Sequence, residues 1–132
     1  MTGDERAVVA ANAAFYAAFQ ARDVAGMEAL WARGLPVAVI HPGWPPVHGR
    51  AAVLETWRRI LEGSAPPEIA CSRAWPYLNG DSAFVICYEK LPGGDLVATN
   101  VFAREDGQWR IVHHQAGPTP PPADAAGSDL VH

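Results

Sequence analysis

The segment NGDSAFVICYEKLPGGDLVATNVFAREDGQWRIVHH, residues 79–114, settles the architecture. Its apolar runs, rich in β-branched and aromatic residues, are divided by the turn dipeptides Asn79-Gly80, Gly93-Gly94 and Asp106-Gly107. Each dipeptide is a type I′ hairpin signal, because both of its residues tolerate the positive φ that such a turn demands. With the run that starts at Ile69, the pattern predicts four successive antiparallel strands as far as Gly117.

If each turn is a two-residue loop, the pairing follows by arithmetic. Ser72 then faces Cys87, Cys87 faces Asn100, Glu89 faces Ala98, Asn100 faces His113, and Phe102 faces Ile111. One sheet face is predicted to carry Val85, Cys87, Glu89, Asn100, Phe102, Trp109, Ile111 and His113. The other is predicted to carry Cys71, Arg73, Trp75, Tyr77, Phe84, Ile86, Tyr88, Thr99, Val101, Val112 and His114. A single bulge would exchange residues between the faces. Neither face is polar enough to stand in water, so helices are expected on one and a second copy of the chain on the other. Trp75, Tyr77 and Tyr88 are assigned to that subunit interface.

Ahead of the strands the apolar period changes to that of helices. Val8, Asn12, Phe15 and Phe19 form one stripe between Asp4 and about Arg22, with Asn12 facing a polar cavity or lying at the stripe's edge. Asp23 can cap a second, shorter helix that turns Met27, Leu30 and Trp31 inward and ends at Gly34. Val53, Leu54, Trp57, Ile60 and Leu61 define a third helix over 51–62, stopped by Gly63-Ser64-Ala65-Pro66-Pro67.

Between the second and third helices, Val39-Ile40-His41-Pro42-Gly43-Trp44 reads as a short strand that breaks at proline. His41 is left at the strand end beside a rigid turn. It can face a cavity as an acid or base, or pack and satisfy a nearby carbonyl. Glu89, Asn100 and His113 form a polar group inside an apolar frame, which suits either a ligand pocket or a self-satisfied cross-strand pair.

The chain has 132 residues, 49% of them hydrophobic and 18% charged, which suits one globular domain with one core. A net charge of −4 without any Lys/Arg run argues against nucleic acid as a partner. Cys71 and Cys87 lack metal-ligand spacing, and the hairpin register places them on opposite faces. His41, His48, His113 and His114 are scattered, so no metal or other cofactor is expected. The first residues do not read as a secretion signal and no stretch reaches membrane-spanning length, so a reduced, cytoplasmic protein is expected. Residues 1–117 form the predicted domain. From Pro118 to His132, Pro120-Pro121-Pro122 followed by small and acidic residues has too little to bury and is expected to be disordered.

Three N-terminal helices, a strand between the second and third, and a curved meander resemble the nuclear-transport-factor-2-like superfamily over roughly residues 5–117. The segments Phe15 to Trp31, Val39 to Gly49 and Asp106 to His114 carry the resemblance, the last being similar to the SnoaL-like branch, which sits beside the ketosteroid isomerases and polyketide cyclases. The resemblance implies an α+β roll of the cystatin-like kind, a cone-shaped pocket between helices and sheet, and a homodimer through the outer sheet face. It sets His41 where ketosteroid isomerases have a proton-shuttling aspartate, Asn100 where they have a protonated aspartic acid, and Phe15 where they have a tyrosine, whose phenol only Tyr16 could replace.

A function follows as an expectation. His41, Asn100 and His113 are the candidate catalytic residues, in cofactor-free proton transfer on a carbonyl compound by an isomerase, cyclase or dehydratase. Phe15, Tyr16, Trp31, Trp44, Trp57, Glu89 and Phe102 are the candidate binding residues for a small apolar molecule. If His41 titrates near neutrality, ligand binding depends on pH there. The rival expectation is a non-catalytic binding or dimeric association domain.

Overall fold

The computed structural model describes residues 1–64 and 68–123. Helices α1 (Gly3–Ala21) and α2 (Val24–Leu30) lead into strands β1 (Ala38–Ile40) and β2 (Val47–His48) and helix α3 (Arg50–Glu62). Four long strands follow: β3 (Ala70–Asn79), β4 (Ser82–Leu91), β5 (Gly94–Glu105) and β6 (Gln108–Thr119). They form one sheet in the order β2-β1-β6-β5-β4-β3, antiparallel except where β1 runs parallel to β6. This is the expected α+β roll, with the helices covering one face of a mainly antiparallel sheet.

Local chemistry explains the element ends. The Thr2 hydroxyl accepts from the Glu5 N–H while the Glu5 carboxylate accepts from the Thr2 N–H, a reciprocal cap that starts α1. Arg22 ends it in the left-handed region, and the Asp23 carboxylate then accepts from the Gly26 N–H to begin α2. At Asp106-Gly107 both φ values are positive, 52° and 75°, as a type I′ turn requires.

The other two turns sit one residue away from their predicted positions. Asn79 pairs with Ser82, so the loop is Gly80-Asp81; Leu91 pairs with Gly94, so the loop is Pro92-Gly93. Cys87 therefore faces Ala98 and Glu89 faces Leu96. Pairing shifts by two residues in each case, so those side chains stay on their predicted faces.

Two bulges do exchange residues. On β6, Phe102 faces Ile111 as predicted, but Val101 faces His113, which leaves Val112 as an extra residue and pairs Asn100 with His114. His114, not His113, therefore joins the inner face. On β3, Arg73 in the left-handed region and Ala74 together oppose Cys87, so Cys71 pairs with Glu89 and turns inward. Cys71 and Cys87 thus share the inner face, both as free thiols, instead of lying on opposite faces.

The core between helices and sheet holds Val8, Phe15, Met27, Trp31, Val53, Trp57, Val85, Phe102 and Ile111, all buried. On the outer face Trp75 and Tyr77 are exposed, and Tyr77 stacks on Phe84. β6 continues through Pro118 and Thr119, two residues into the predicted tail, by pairing with Leu96 and Asp95. Residues 124–132 lie outside the described part, so most of that tail does too. No described helix is long and apolar enough to cross a membrane.

Candidate active site

A strand end, two helices and a concave sheet face meet around a cavity of about 300 Å³. Phe19 from α1, Trp44 from the turn after β1, Ile60 from α3, and Ile69, Leu91 and Leu96 form its apolar walls. His41, Glu89 and His114 are the titratable groups that face it. Trp44, 40% exposed, stands at the rim, whereas His41, Glu89 and His114 are each at most 3% exposed.

Position and tautomer of His41 follow from its neighbours. The His41 carbonyl accepts from the Trp44 N–H, closing the turn that Pro42-Gly43 begins. Its ring lies edge-on to Trp44 and Trp57, and its Nε2 is 2.9 Å from the Thr56 hydroxyl. That hydroxyl donates its one proton to the Val53 carbonyl at 2.7 Å, so toward His41 it can only accept. Nε2 carries the hydrogen, and Nδ1 keeps its lone pair. Burial lowers the imidazole pKa to about 4, so His41 is neutral at pH 7.

The second group is a directional network. The Asn100 amide donates to Asn12 Oδ1 at 2.8 Å and to the Tyr16 hydroxyl at 3.1 Å, and Tyr16 passes its own proton toward Glu89 Oε2 at 2.5 Å. Asn100 Oδ1 accepts from His114 Nδ1 at 2.5 Å, which leaves His114 Nε2 bare. Burial raises the Glu89 carboxyl and lowers His114 to about 3. His114 Nε2 and Glu89 Oε2 are 3.9 Å apart, too far for a direct hydrogen bond, and both face the cavity. The desolvation that lowers His114 keeps it uncharged, so this contact is no ion pair. Burial and the neighbouring Glu89 hold Tyr16 as a phenol.

The cavity thus pairs a neutral imidazole base with a carboxyl group biased toward its acid form. Such divergence between neighbouring titratable groups is what acid–base chemistry on one ligand needs. Among the described residues no three His, Cys, Asp or Glu side chains converge as a metal-ligand set.

Of the residues singled out from sequence, His41, Trp44 and Glu89 line the cavity. Asn100 and Tyr16 lie directly behind it, bonded to His114 and Glu89. Phe15, Trp31, Trp57 and Phe102 are core: Phe15 and Trp57 pack against the His114 ring, and Trp31 bridges to Ile111. His113 is turned away by the β6 bulge and bonds the Ala38 carbonyl at 2.9 Å. Its place is taken by His114, which the uninterrupted register assigns to the outer face. Phe19, Ile60, Ile69, Leu91 and Leu96 carry no mark of a wall residue in the sequence; Phe19 and Ile60 read there only as members of helical stripes. A His41 pKa of about 4 also moves any titration of this group well below neutrality.

Comparisons with known proteins agree with this fold. The profile of the SnoaL-like domain matches residues 8–120. A candidate dehydratase of the NTF2-like family from Streptomyces avermitilis is 31% identical, with a TM-score of 0.81 over 89% of this chain and 97% of its own. A candidate association domain of calcium/calmodulin-dependent protein kinase type II from Thiobacillus denitrificans is 37% identical, with a TM-score of 0.74 over 83% of this chain and 93% of its own. The F-box protein SKIP8 of Arabidopsis thaliana is 26% identical over 84% of this chain, which spans about half of that protein, 49% of its length.

Proposed function

The chain belongs to the SnoaL-like family of the nuclear-transport-factor-2-like superfamily, and from that premise we propose that it binds a small, largely apolar carbonyl compound and moves protons on it without a cofactor. One observation carries the reading: a buried, neutral His41 has one ring nitrogen tied to Thr56, and its ring faces an apolar cavity that also holds Glu89. Dehydration of a β-hydroxy carbonyl compound fits the two groups. His41 Nδ1 takes the proton next to the carbonyl, the C–H electrons form the double bond, and the C–O bond breaks. The hydroxyl leaves as water with the proton of Glu89. A proton passing from His41 back to Glu89 resets the site. The likeness to the Streptomyces avermitilis protein, itself described as a candidate dehydratase, supports this reaction class.

Exchange of the protons beside a ketone tests the first step alone. In deuterated buffer at pH 7, the protein is expected to speed the loss of the 2-tetralone α-proton signals, followed by NMR. His41→Gln is expected to slow that exchange by about 10²-fold or more. Equal rates for wild type, variant and buffer would overturn the proton-transfer reading.

The outer sheet face favours a second reading, self-association. Trp75 and Ile86 are paired and exposed beside Tyr77 and Phe84, and the Thiobacillus denitrificans relative is described as a candidate association domain. A dimer through this face is expected in sedimentation velocity, and Trp75→Glu combined with Ile86→Lys is expected to leave monomers. A monomeric wild type at 100 μM would rule it out. The two readings are compatible, since the cavity opens on the opposite side of the sheet.

A further inference from the structure

We propose that Thr56 and Asn100 hold the two cavity histidines in opposite tautomers, so that the site receives an uncharged ligand through its hydroxyl group and rejects carboxylates. The inference rests on the reading of the cavity as a ligand site and specifies what enters it. Thr56 and Asn100 act as positioning residues, since neither lines the cavity.

Proton bookkeeping leads to the tautomers. Thr56 has one hydroxyl hydrogen, and the Val53 carbonyl takes it at 2.7 Å, so the 2.9 Å contact with His41 is a bond donated by Nε2–H. Across the site the donor and acceptor ends of Asn100 are assigned by their partners. Tyr16 has given its hydrogen to Glu89 and can only accept from Asn100, so the amide nitrogen points there and the amide oxygen points to His114. His114 therefore carries its hydrogen on Nδ1. Two buried rings in one cavity wall keep bare nitrogens of different kinds, Nδ1 on His41 and Nε2 on His114.

What those nitrogens face decides the ligand. His114 Nε2 and Glu89 Oε2 stand 3.9 Å apart, and among the described residues no atom donates a hydrogen bond to that nitrogen. A ligand hydroxyl placed there can donate to Nε2 and receive the Glu89 proton. No Lys or Arg is among the described residues that line the cavity, and its remaining walls are hydrocarbon or aromatic. A carboxylate could accept the Glu89 proton, but it has no hydrogen to donate to His114 Nε2 and brings a charge that no cation in the described lining offsets.

Two measurements on the intact protein test the proposal. Long-range ¹H–¹⁵N spectra at pH 7 are expected to show His41 as the Nε2–H form and His114 as the Nδ1–H form. Thr56→Ser is expected to preserve the His41 pattern and Thr56→Val to mix it; a wild-type His41 in the Nδ1–H form overturns the assignment even if the valine variant does not fold. Calorimetric titration with phenol, toluene and benzoate is expected to rank phenol first and benzoate at least 10-fold weaker than phenol. Benzoate binding as tightly as phenol overturns the ligand class. Neither readout requires turnover. Correct tautomers and ligand ranking without tetralone exchange would remove the proposed reaction and leave this inference standing.

Discussion

Asn100→Leu is expected to lower the unfolding free energy by on the order of 3–5 kcal/mol, measured by urea denaturation at pH 7. Asn100 has no exposed surface, and its amide holds Asn12, Tyr16 and His114 at once. Leucine fills much of the space but answers none of these groups. Asn12 Oδ1 and the His114 Nδ1–H are then buried with no partner, and each such group costs about 1–3 kcal/mol. Because the bonds form one directional network, the loss is expected to exceed that of a single surface hydrogen bond several-fold. The variant also frees the His114 ring, so its ¹⁵N pattern is expected to lose the pure Nδ1–H form. A destabilisation below 1 kcal/mol would mean that water or a rearranged Tyr16 takes over the bonds.

The register arithmetic explains which parts of the site could be read from residues alone. Moving the Asn79-Gly80 and Gly93-Gly94 turns by one residue shifts each pairing by two, and a two-residue shift leaves every side chain on its face. Val85, Cys87, Glu89, Asn100 and Phe102 consequently land where they were expected. Bulges act differently, because one extra residue reverses the face of all that follows. Val112 and Arg73 carry no sign of this: neither is a glycine, and Val112 suits a regular strand as well as a bulged one. An uninterrupted register therefore puts His114 and Cys71 on the outer face, whereas the bulges turn both inward. Asn100 opposite a pair of adjacent histidines is the available hint, since one of the two imidazoles has to answer the amide.

Helix α1 shows the same division. Its stripe identifies Phe15 and Phe19 as inward, but the polar contact behind the cavity comes from Tyr16, one position round the helix from Phe15, whose phenol meets Glu89. Asn12 proves to face the polar network and not the edge of the stripe. The aromatic walls were the least legible part. Residue type alone does not separate a tryptophan that fills the core, as Trp31 and Trp57 do, from one that lines a cavity, as Trp44 does from its loop. The difference is made by where the sheet curves away, and that is a property of several strands together.

The buried histidines give the fold a pH dependence whose sign can be worked out. In the unfolded chain both titrate near the usual value, about 6.5, whereas in the folded chain His41 titrates at about 4 and His114 at about 3. As pH falls below about 6.5, the unfolded chain takes up two protons that the native state refuses. Stability from these groups is fully present above that pH and is lost as pH falls toward the native values. The two histidines together contribute a limiting slope of about 2.7 kcal/mol per pH unit between roughly pH 6 and 4, as each bound proton contributes about 1.4 kcal/mol per unit. Glu89 has the opposite sign: its raised carboxyl keeps a proton that the unfolded chain gives up, so its contribution is lost as pH rises through the folded value. The net expectation is a stability maximum near neutrality with a steep acid side. Urea denaturation at pH 6.5, 5.5 and 4.5 reads the net slope, and His41→Gln is expected to lower it by about 1.4 kcal/mol per pH unit by removing one of the two histidine protons. Stability that stays flat over this range would show that the two imidazoles are charged or hydrated in the native protein. In that event the neutral base from which the proposed proton transfer starts would not exist.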